Sequence, residues 1–202
     1  MKLIATTQRV TMDPTTGERR DALDQCWTTF LAACGFTPLV IPNHVETACL
    51  LMQQEHVCGL LLTGGNDLTA YGGDAPERDA TELALLEMAT HAHQPVLGVC
   101  RGMQFLQHHA GATLQRVTGH IAVHHTLTFR GETVRVNSFH NWGATSTVAG
   151  LDIAAVADDG VIEAVVQHER RQLGIMWHPE RATPFEPRDI ALVQNHFSGN
   201  LR

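Results

Sequence analysis

Residues 95–104 read PVLGVCRGMQ. The apolar run 95–99 has the character of a buried strand, and helical spacing of Met103, Phe105 and Leu106 begins directly after it. Cys100 stands at the junction, with Gly98 two residues before it and Gly102 two residues after. A strand that turns straight into a helix crowds its own backbone, and small neighbours relieve that crowding. G-x-C-x-G is thus the thiol counterpart of the nucleophile elbow. It would leave the sulfur above a strand end and at a helix N-terminus, where free N–H groups and the helix dipole favour a thiolate. The same pentapeptide also suits a cysteine that only packs, so the rest of the chain has to decide.

The N-terminal half repeats the strand-then-helix pattern. Strands are expected at 2–6, 36–41, 57–63 and 95–99, and helices at 20–33, 45–55, 78–92 and from Cys100 to 110. In the third helix Leu83, Leu86 and Met88 supply the apolar face, with Glu82 and Glu87 turned outward. Nearly continuous apolar strands joined by amphipathic helices mean a parallel sheet covered on both faces. From 112 to 177 the segments are shorter and alternate: 113–117, 125–129, 133–136, 153–157, 161–166 and 173–177 read as strands, and 187–197 as a closing helix. The expected fold is therefore one α/β domain over residues 1–202, a three-layer sandwich around a mainly parallel sheet with a β-rich C-terminal half.

Composition narrows the partners. The net charge is −7 and no basic run occurs, which argues against nucleic acid or an anionic membrane surface as partner. No apolar stretch approaches the ~20 residues of a membrane span, and the N-terminus turns polar after Ala5, so a cytoplasmic protein is expected. Five cysteines without a C-x-x-C pair fit reduced thiols, and Cys26, Cys34, Cys49 and Cys58 read as core filler. Thirteen histidines include His120 and His124 at i, i+4 spacing, but the flanking sequence reads as a strand rather than a helix. No metal and no other cofactor is expected. Nothing in the sequence specifies an oligomeric state.

A nucleophilic cysteine needs a base, and the base needs an orienting group. Trp177-His178-Pro179-Glu180 supplies both at another strand end. In an extended H-x-E segment the two side chains lean the same way, so Glu180 can hold one imidazole nitrogen while the other faces Cys100. Alone, the pair also reads as a surface histidine beside a surface glutamate. For the oxyanion, Gly64 and Gly65 leave a strand end with free N–H groups, and the Arg101 N–H is the other natural donor. The glycines equally suit a plain chain reversal.

GGND at 64–67, GVCRGMQ at 98–104 and WHPE at 177–180, in that order, resemble the class I glutamine amidotransferase superfamily. The arginine after the cysteine, RDATE at 78–82 and VNSFH at 136–140 resemble its γ-glutamyl hydrolase branch. The resemblance implies the flavodoxin-like fold of that superfamily and an acyl-enzyme route. In that route Cys100 attacks a γ-glutamyl carbonyl, His178 moves the proton, Glu180 orients His178, and glutamate is released. It further implies that Asn66 and Gln104 help hold the glutamyl group, and that His140, Asn141 and Trp142 form the segment whose backbone binds its α-substituents. Many relatives carry a different tripeptide at 140–142. The implied partner is a small γ-glutamyl compound. The short chain, TTQR at 6–9, DDGVIEA at 158–164 and MWHPER at 176–181 resemble a narrower group in which a cytidine nucleotide conjugate carries the glutamate. Arg9, Arg19, Arg20, Arg78, Arg101 and Arg181 are the cations available for a pyrophosphate, though each reads more readily as a solvated surface arginine than as a ligand contact. Two other readings stand beside hydrolysis: a glutaminase subunit serving a synthase, and a non-catalytic chaperone or redox sensor on the same fold.

Overall fold

The computed structural model describes residues 2–199. In chain order, β1 (Leu3–Thr6), β2 (Arg9–Met12) and β3 (Arg19–Ala22) precede α1 (Gln25–Ala33). Then come β4 (Thr37–Val40), α2 (Val45–Met52), β5 (Val57–Leu62), α3 (Pro76–His91), β6 (Val96–Val99) and α4 (Arg101–His109). The C-terminal half holds β7 (Gln115–Arg116), β8 (Ile121–Phe129), β9 (Glu132–Phe139), β10 (Trp142–Gly143), β11 (Asp152–Val156), β12 (Ile162–Gln167), β13 (Gln172–Ile175) and α5 (Pro187–Phe197).

Seven strands form one sheet in the order β11-β12-β13-β6-β5-β1-β4. From β13 to β4 every neighbouring pair is parallel, while β12 and β11 add an antiparallel edge. Alternation sorts the strand side chains onto two faces. Ile4, Leu61, Leu97, Leu173 and Ile175 pack with Trp27, Phe30 and Leu31 of α1 and Leu192, Val193 and Phe197 of α5. Ala5, Leu60, Leu62 and Val96 pack with α2, α3 and α4 through Met52, Leu85 and Leu106. The three-layer α/β architecture expected from the sequence is thus the observed one. Both placements anticipated for the β-rich half occur: β11 and β12 extend the sheet, and β8–β9 form a separate hairpin. Among the described residues no helix is long and apolar enough to cross a membrane.

Three expectations are corrected. The helix expected from residue 20 starts at Gln25, because Asp24 caps it, its Oδ1 accepting from the Cys26 N–H at 3.0 Å. Residues Arg19–Ala22 instead pair with β2 as an exposed hairpin. Cys26 is exposed and Cys49 and Cys58 are half-buried, so of the four filler cysteines only Cys34 is fully in the core. The largest departure is Glu82, which is fully buried rather than outward, as are Arg78 and Arg101.

These three form an ion cluster beneath the sheet rim. Arg78 Nε donates to Glu82 Oε1 at 2.9 Å, Thr7 Oγ1 donates to the same oxygen at 2.8 Å, and Arg101 Nη1 donates to Oε2. Arg101 Nη2 continues to Asp79 Oδ1. Burial by itself would raise the Glu82 carboxyl, but the Arg101 and Arg78 charges override it and the net direction is down. Removing one member of such a cluster strands buried charge. Glu82→Ala is therefore expected to lower the unfolding free energy by about 3–5 kcal/mol in urea titration; a loss under ~1 kcal/mol would show the cluster to be dispensable.

Candidate active site

The register Leu97↔Leu173 and Leu61↔Leu97 aligns the carboxyl ends of β13, β6 and β5 on one rim. Three loops leave that rim, carrying Gly64, Cys100 and His178. Cys100 has φ 54° and ψ −107°, a backbone state that side-chain-bearing residues rarely adopt. The flanking glycines make it possible. A Cβ on Gly98 would lie 2.5 Å from the Gly102 carbonyl carbon, and one on Gly102 would overlap the Leu62 carbonyl. The strand, the turn and the helix therefore pack at backbone contact, as the G-x-C-x-G spacing requires.

His178 reaches the same point from β13. Its Nδ1 bonds Glu180 Oε1 at 2.7 Å, and its imidazole and the Cys100 side chain meet over Gly64. The expected extended H-x-E segment is instead a 3-10 turn over Pro179–Arg181, with Pro179 at its first position. The turn still brings Glu180 back under the imidazole. His178, Glu180 and Cys100 are all at least nine-tenths buried. Burial by itself would lower the His178 imidazole, but the Cys100 charge and the bonds to Cys100 and Glu180 raise it to about 9. Burial likewise favours the neutral Cys100 thiol, yet His178 and the Arg101 N–H bring it below its ordinary value. Each group thus favours the charged form of the other. Cys34, by contrast, is pushed up to about 12 by burial.

Gly64 lies directly beneath the pair: a Cβ there would stand 2.8 Å from His178 Cε1 and 3.5 Å from Cys100 Cβ. Arg78 Nη1 holds the carbonyls of both Gly64 and Gly65. With those oxygens turned to Arg78, the peptide plane between the two glycines directs the Gly65 N–H the opposite way. The Arg101 N–H stands at the start of α4, next to Cys100. Gly64 and Arg101 therefore adjoin Cys100, Gly65 lies against Arg9, and the Arg101 side chain lies in the ion cluster.

The expected substrate contacts are redistributed. The Asn66 carboxamide is committed to the backbone: its Oδ1 accepts from the Val10 N–H at 2.8 Å and its Nδ2 donates to the Val10 carbonyl at 2.9 Å. Gln104 Nε2 donates to the Trp142 carbonyl at 3.0 Å, tying α4 to the 140–142 segment. His140 is buried and its Nδ1 bonds that same carbonyl at 2.9 Å. The Asn141 carbonyl accepts from Val117, while the Trp142 ring packs on Tyr71 and Arg116 and its Nε1 donates to Asp67.

Sequence reasoning gave no role to Asn137. Its Oδ1 accepts from the His178 N–H and its Nδ2 donates to the His178 carbonyl, both at 2.8 Å, so it grips the base by its backbone. An asparagine between Val136 and Ser138 in an alternating strand was the available signal, and it is half-buried. His178 also lines a cavity of about 390 Å³ whose wall includes His124, Phe139 and three arginines, Arg135, Arg181 and Arg188. Arg181 stacks 4.8 Å over the Phe139 ring. Of the arginines named from sequence, Arg78 and Arg101 are buried in the ion cluster, and Arg19 and Arg20 pair with Glu77 and Glu18. Arg9 lies against Gly65, where a Cβ would meet its guanidinium at 2.8 Å. Arg9 and Arg181 therefore remain beside the site.

A family model described as Peptidase C26 matches residues 2–128 and 122–180. The chain is 30% identical over 200 residues to the gamma-glutamyl-CDP-amidate hydrolase of Campylobacter jejuni, covering 96% of this chain and 97% of that one. It is 26% identical to the gamma-glutamyl-gamma-aminobutyrate hydrolase of Escherichia coli O157:H7, over 81% of this chain and 80% of that one. Among solved structures, a putative GMP synthase subunit from Thermoplasma acidophilum superposes with a TM-score of 0.71 at 17% identity, covering 98% of this chain and 93% of that one, which shows the shared fold.

The two opposite shifts make a direct prediction for thiol chemistry. Alkylation by iodoacetamide, followed by peptide mapping across pH, should label Cys100 first, with a midpoint below the ~8.5 of an ordinary thiol. Uniform labelling of all five cysteines, or a Cys100 midpoint at or above that value, would contradict them.

Proposed function

The chain belongs to the Peptidase C26 family, and we propose that it hydrolyses a γ-glutamyl amide bond with Cys100 as nucleophile, His178 as acid and base, and Glu180 as orienting carboxylate. The observation that carries this reading is the convergence of thiol, imidazole and carboxylate at the rim, with Nδ1 of His178 on Glu180 at 2.7 Å and its ring meeting the Cys100 side chain over Gly64. The Cys100 sulfur attacks the γ-carbonyl carbon. The carbonyl oxygen takes up the negative charge and is met by the Arg101 and Gly65 N–H groups. His178 passes its proton to the amide nitrogen, the C–N bond breaks, and a glutamyl thioester remains on Cys100. Water then attacks the thioester, His178 accepts its proton, and glutamate leaves.

The leaving group is proposed to be anionic, and the Campylobacter relative suggests a cytidine phosphoramidate of the kind used in decorating capsule polysaccharide. What supports an anion is the cavity beside His178, where Arg135, Arg181 and Arg188 outnumber the acidic Glu186 and Asp189. His178 must protonate the departing nitrogen, so the leaving group has to lie on the imidazole side. A γ-aminobutyrate carboxylate suits the same arginines and is the second reading, supported by the Escherichia coli relative. Such a reaction, with a nucleotide-linked substrate and five free thiols, fits the cytoplasm.

Glutamate release should be measured on glutamine, γ-glutamyl-γ-aminobutyrate, a γ-glutamyl peptide and a γ-glutamyl-phosphoramidate nucleotide. The nucleotide is expected to give the highest kcat/KM; preference for any other member overturns that assignment. Cys100→Ser and His178→Ala should each lower kcat by at least ~10³ if the three groups act as a unit, and unchanged turnover in His178→Ala would overturn the triad. On the alkaline side kcat/KM should fall as His178 loses its proton near pH 9.

A further inference from the structure

Away from the reacting atoms, the ends of the β8–β9 hairpin and β12 bring four further groups together: His120, His125, His140 and Glu163. Their outer hydrogen bonds define the tautomers. His120 Nε2 bonds Asp159 Oδ2 at 2.7 Å, and His140 Nδ1 bonds the Trp142 carbonyl at 2.9 Å. Both partners are acceptors, so each ring carries a proton on its outward nitrogen. The inward nitrogens, His120 Nδ1 and His140 Nε2, are therefore the ones that can offer lone pairs, and they face one another at 3.2 Å. Glu163 Oε1 stands 3.2 Å from the first and 3.3 Å from the second. Three lone-pair donors therefore form a nearly equilateral triangle.

That spacing has a chemical counterpart. Ligands ~2.0–2.1 Å from a tetrahedral Zn²⁺ lie about 3.3–3.4 Å from one another. The outer carboxylate and carbonyl are the partners that metal-bound histidines ordinarily have. A second, independent observation comes from the polar atoms that have no partner. Glu163 Oε2 and His125 Nε2 are both buried without a hydrogen bond, and Glu163 is fully buried. A ring nitrogen of His125 lies within 4.8 Å of the ligand nitrogen of His120 and the ligand oxygen of Glu163, its ring 4.2 Å from the His120 ring. One added proton would satisfy a single edge of the triangle and leave both orphans as they are. A divalent cation satisfies the triangle and offers His125 a bond.

We propose that His120, His140 and Glu163, with His125 as the fourth ligand, form a structural zinc site. The sequence expectation of no metal rested on His120 and His124; the structure places His125, one residue further along β8, in the cluster. Four protein ligands close the coordination sphere, as in structural sites. Through His140 Nδ1 the metal would stiffen the Trp142 carbonyl, on which Gln104 of α4 also rests. The site would thereby brace the wall next to the cysteine without entering the chemistry.

The test uses the full chain carrying Cys100→Ser, which removes the active thiolate as a competing zinc ligand. After chelator treatment and buffer exchange, Zn²⁺ is titrated against a chromophoric competitor, and Co²⁺ is added in parallel to read visible absorption. The expected result is one Zn²⁺ per chain with a Kd below ~1 μM, a tetrahedral Co²⁺ spectrum and a raised Tm. Glu163→Gln should weaken binding at least ~10²-fold, and Asp159→Asn, which removes only the outer partner, by ~10–100-fold. If Glu163→Gln does not fold, His125→Ala, at a half-buried position, carries the comparison, with circular dichroism as the folding control. Absence of stoichiometric binding, or binding unchanged in the folded variants, overturns the proposal.

Discussion

Glu82 sits with no solvent exposure between two arginines that serve different parts of the site. Arg78, one helical turn away, reaches the carbonyls of Thr63, Gly64 and Gly65. Arg101 is the first residue of the helix that begins at Cys100. The carboxylate therefore ties the glycine turn to the thiol's helix through two side chains whose lengths fix the separation. A buried charge without partners would be neutralised or expelled, so the cluster forms whole or not at all. This all-or-none character gives the rim a single geometry. The strained Cys100 backbone needs such support, because a residue at φ 54° persists only when its surroundings over-determine it.

Elsewhere on the rim the same problem is solved by asparagine. Asn66 bonds both the N–H and the carbonyl of Val10, and Asn137 does the same for His178. Each substitutes for a strand neighbour where regular pairing has ended and leaves a loop as well anchored as a strand. The imidazole is thus held from two directions, by Asn137 at its backbone and by Glu180 at its ring. The β8–β9 hairpin supplies Asn137, and its Phe129, Val134 and Val136 are buried in the core shared with Trp177. Function reaches the β-rich half through that hairpin.

The parallel core was legible because its strands are apolar runs and every helix joining them is amphipathic. The elbow was legible because backbone crowding admits so few residues beside a cysteine at a strand–helix junction. The β2–β3 hairpin was not, since RRDA at 19–22 carries no apolar face and Leu23 with Trp27 mimics a helical stripe. Glu82 was misread because periodicity assigns charges to water; Arg78 four residues earlier was the available warning. The engagement of Asn66 with Val10 spans 56 residues and leaves no local trace in the sequence. The histidine cluster joins residues as far apart as 120 and 163, and no spacing rule within one segment could assemble it.

The central claim is covalent catalysis by Cys100, and trapping the intermediate tests it most directly. Turnover of a γ-glutamyl anilide is quenched in acid within the first cycles, and the digested protein is analysed by mass spectrometry. The account predicts a glutamyl thioester on the peptide that contains Cys100, and none on the Cys100→Ser protein. Hydrolysis that proceeds with no adduct, or with an adduct on another residue, would contradict it.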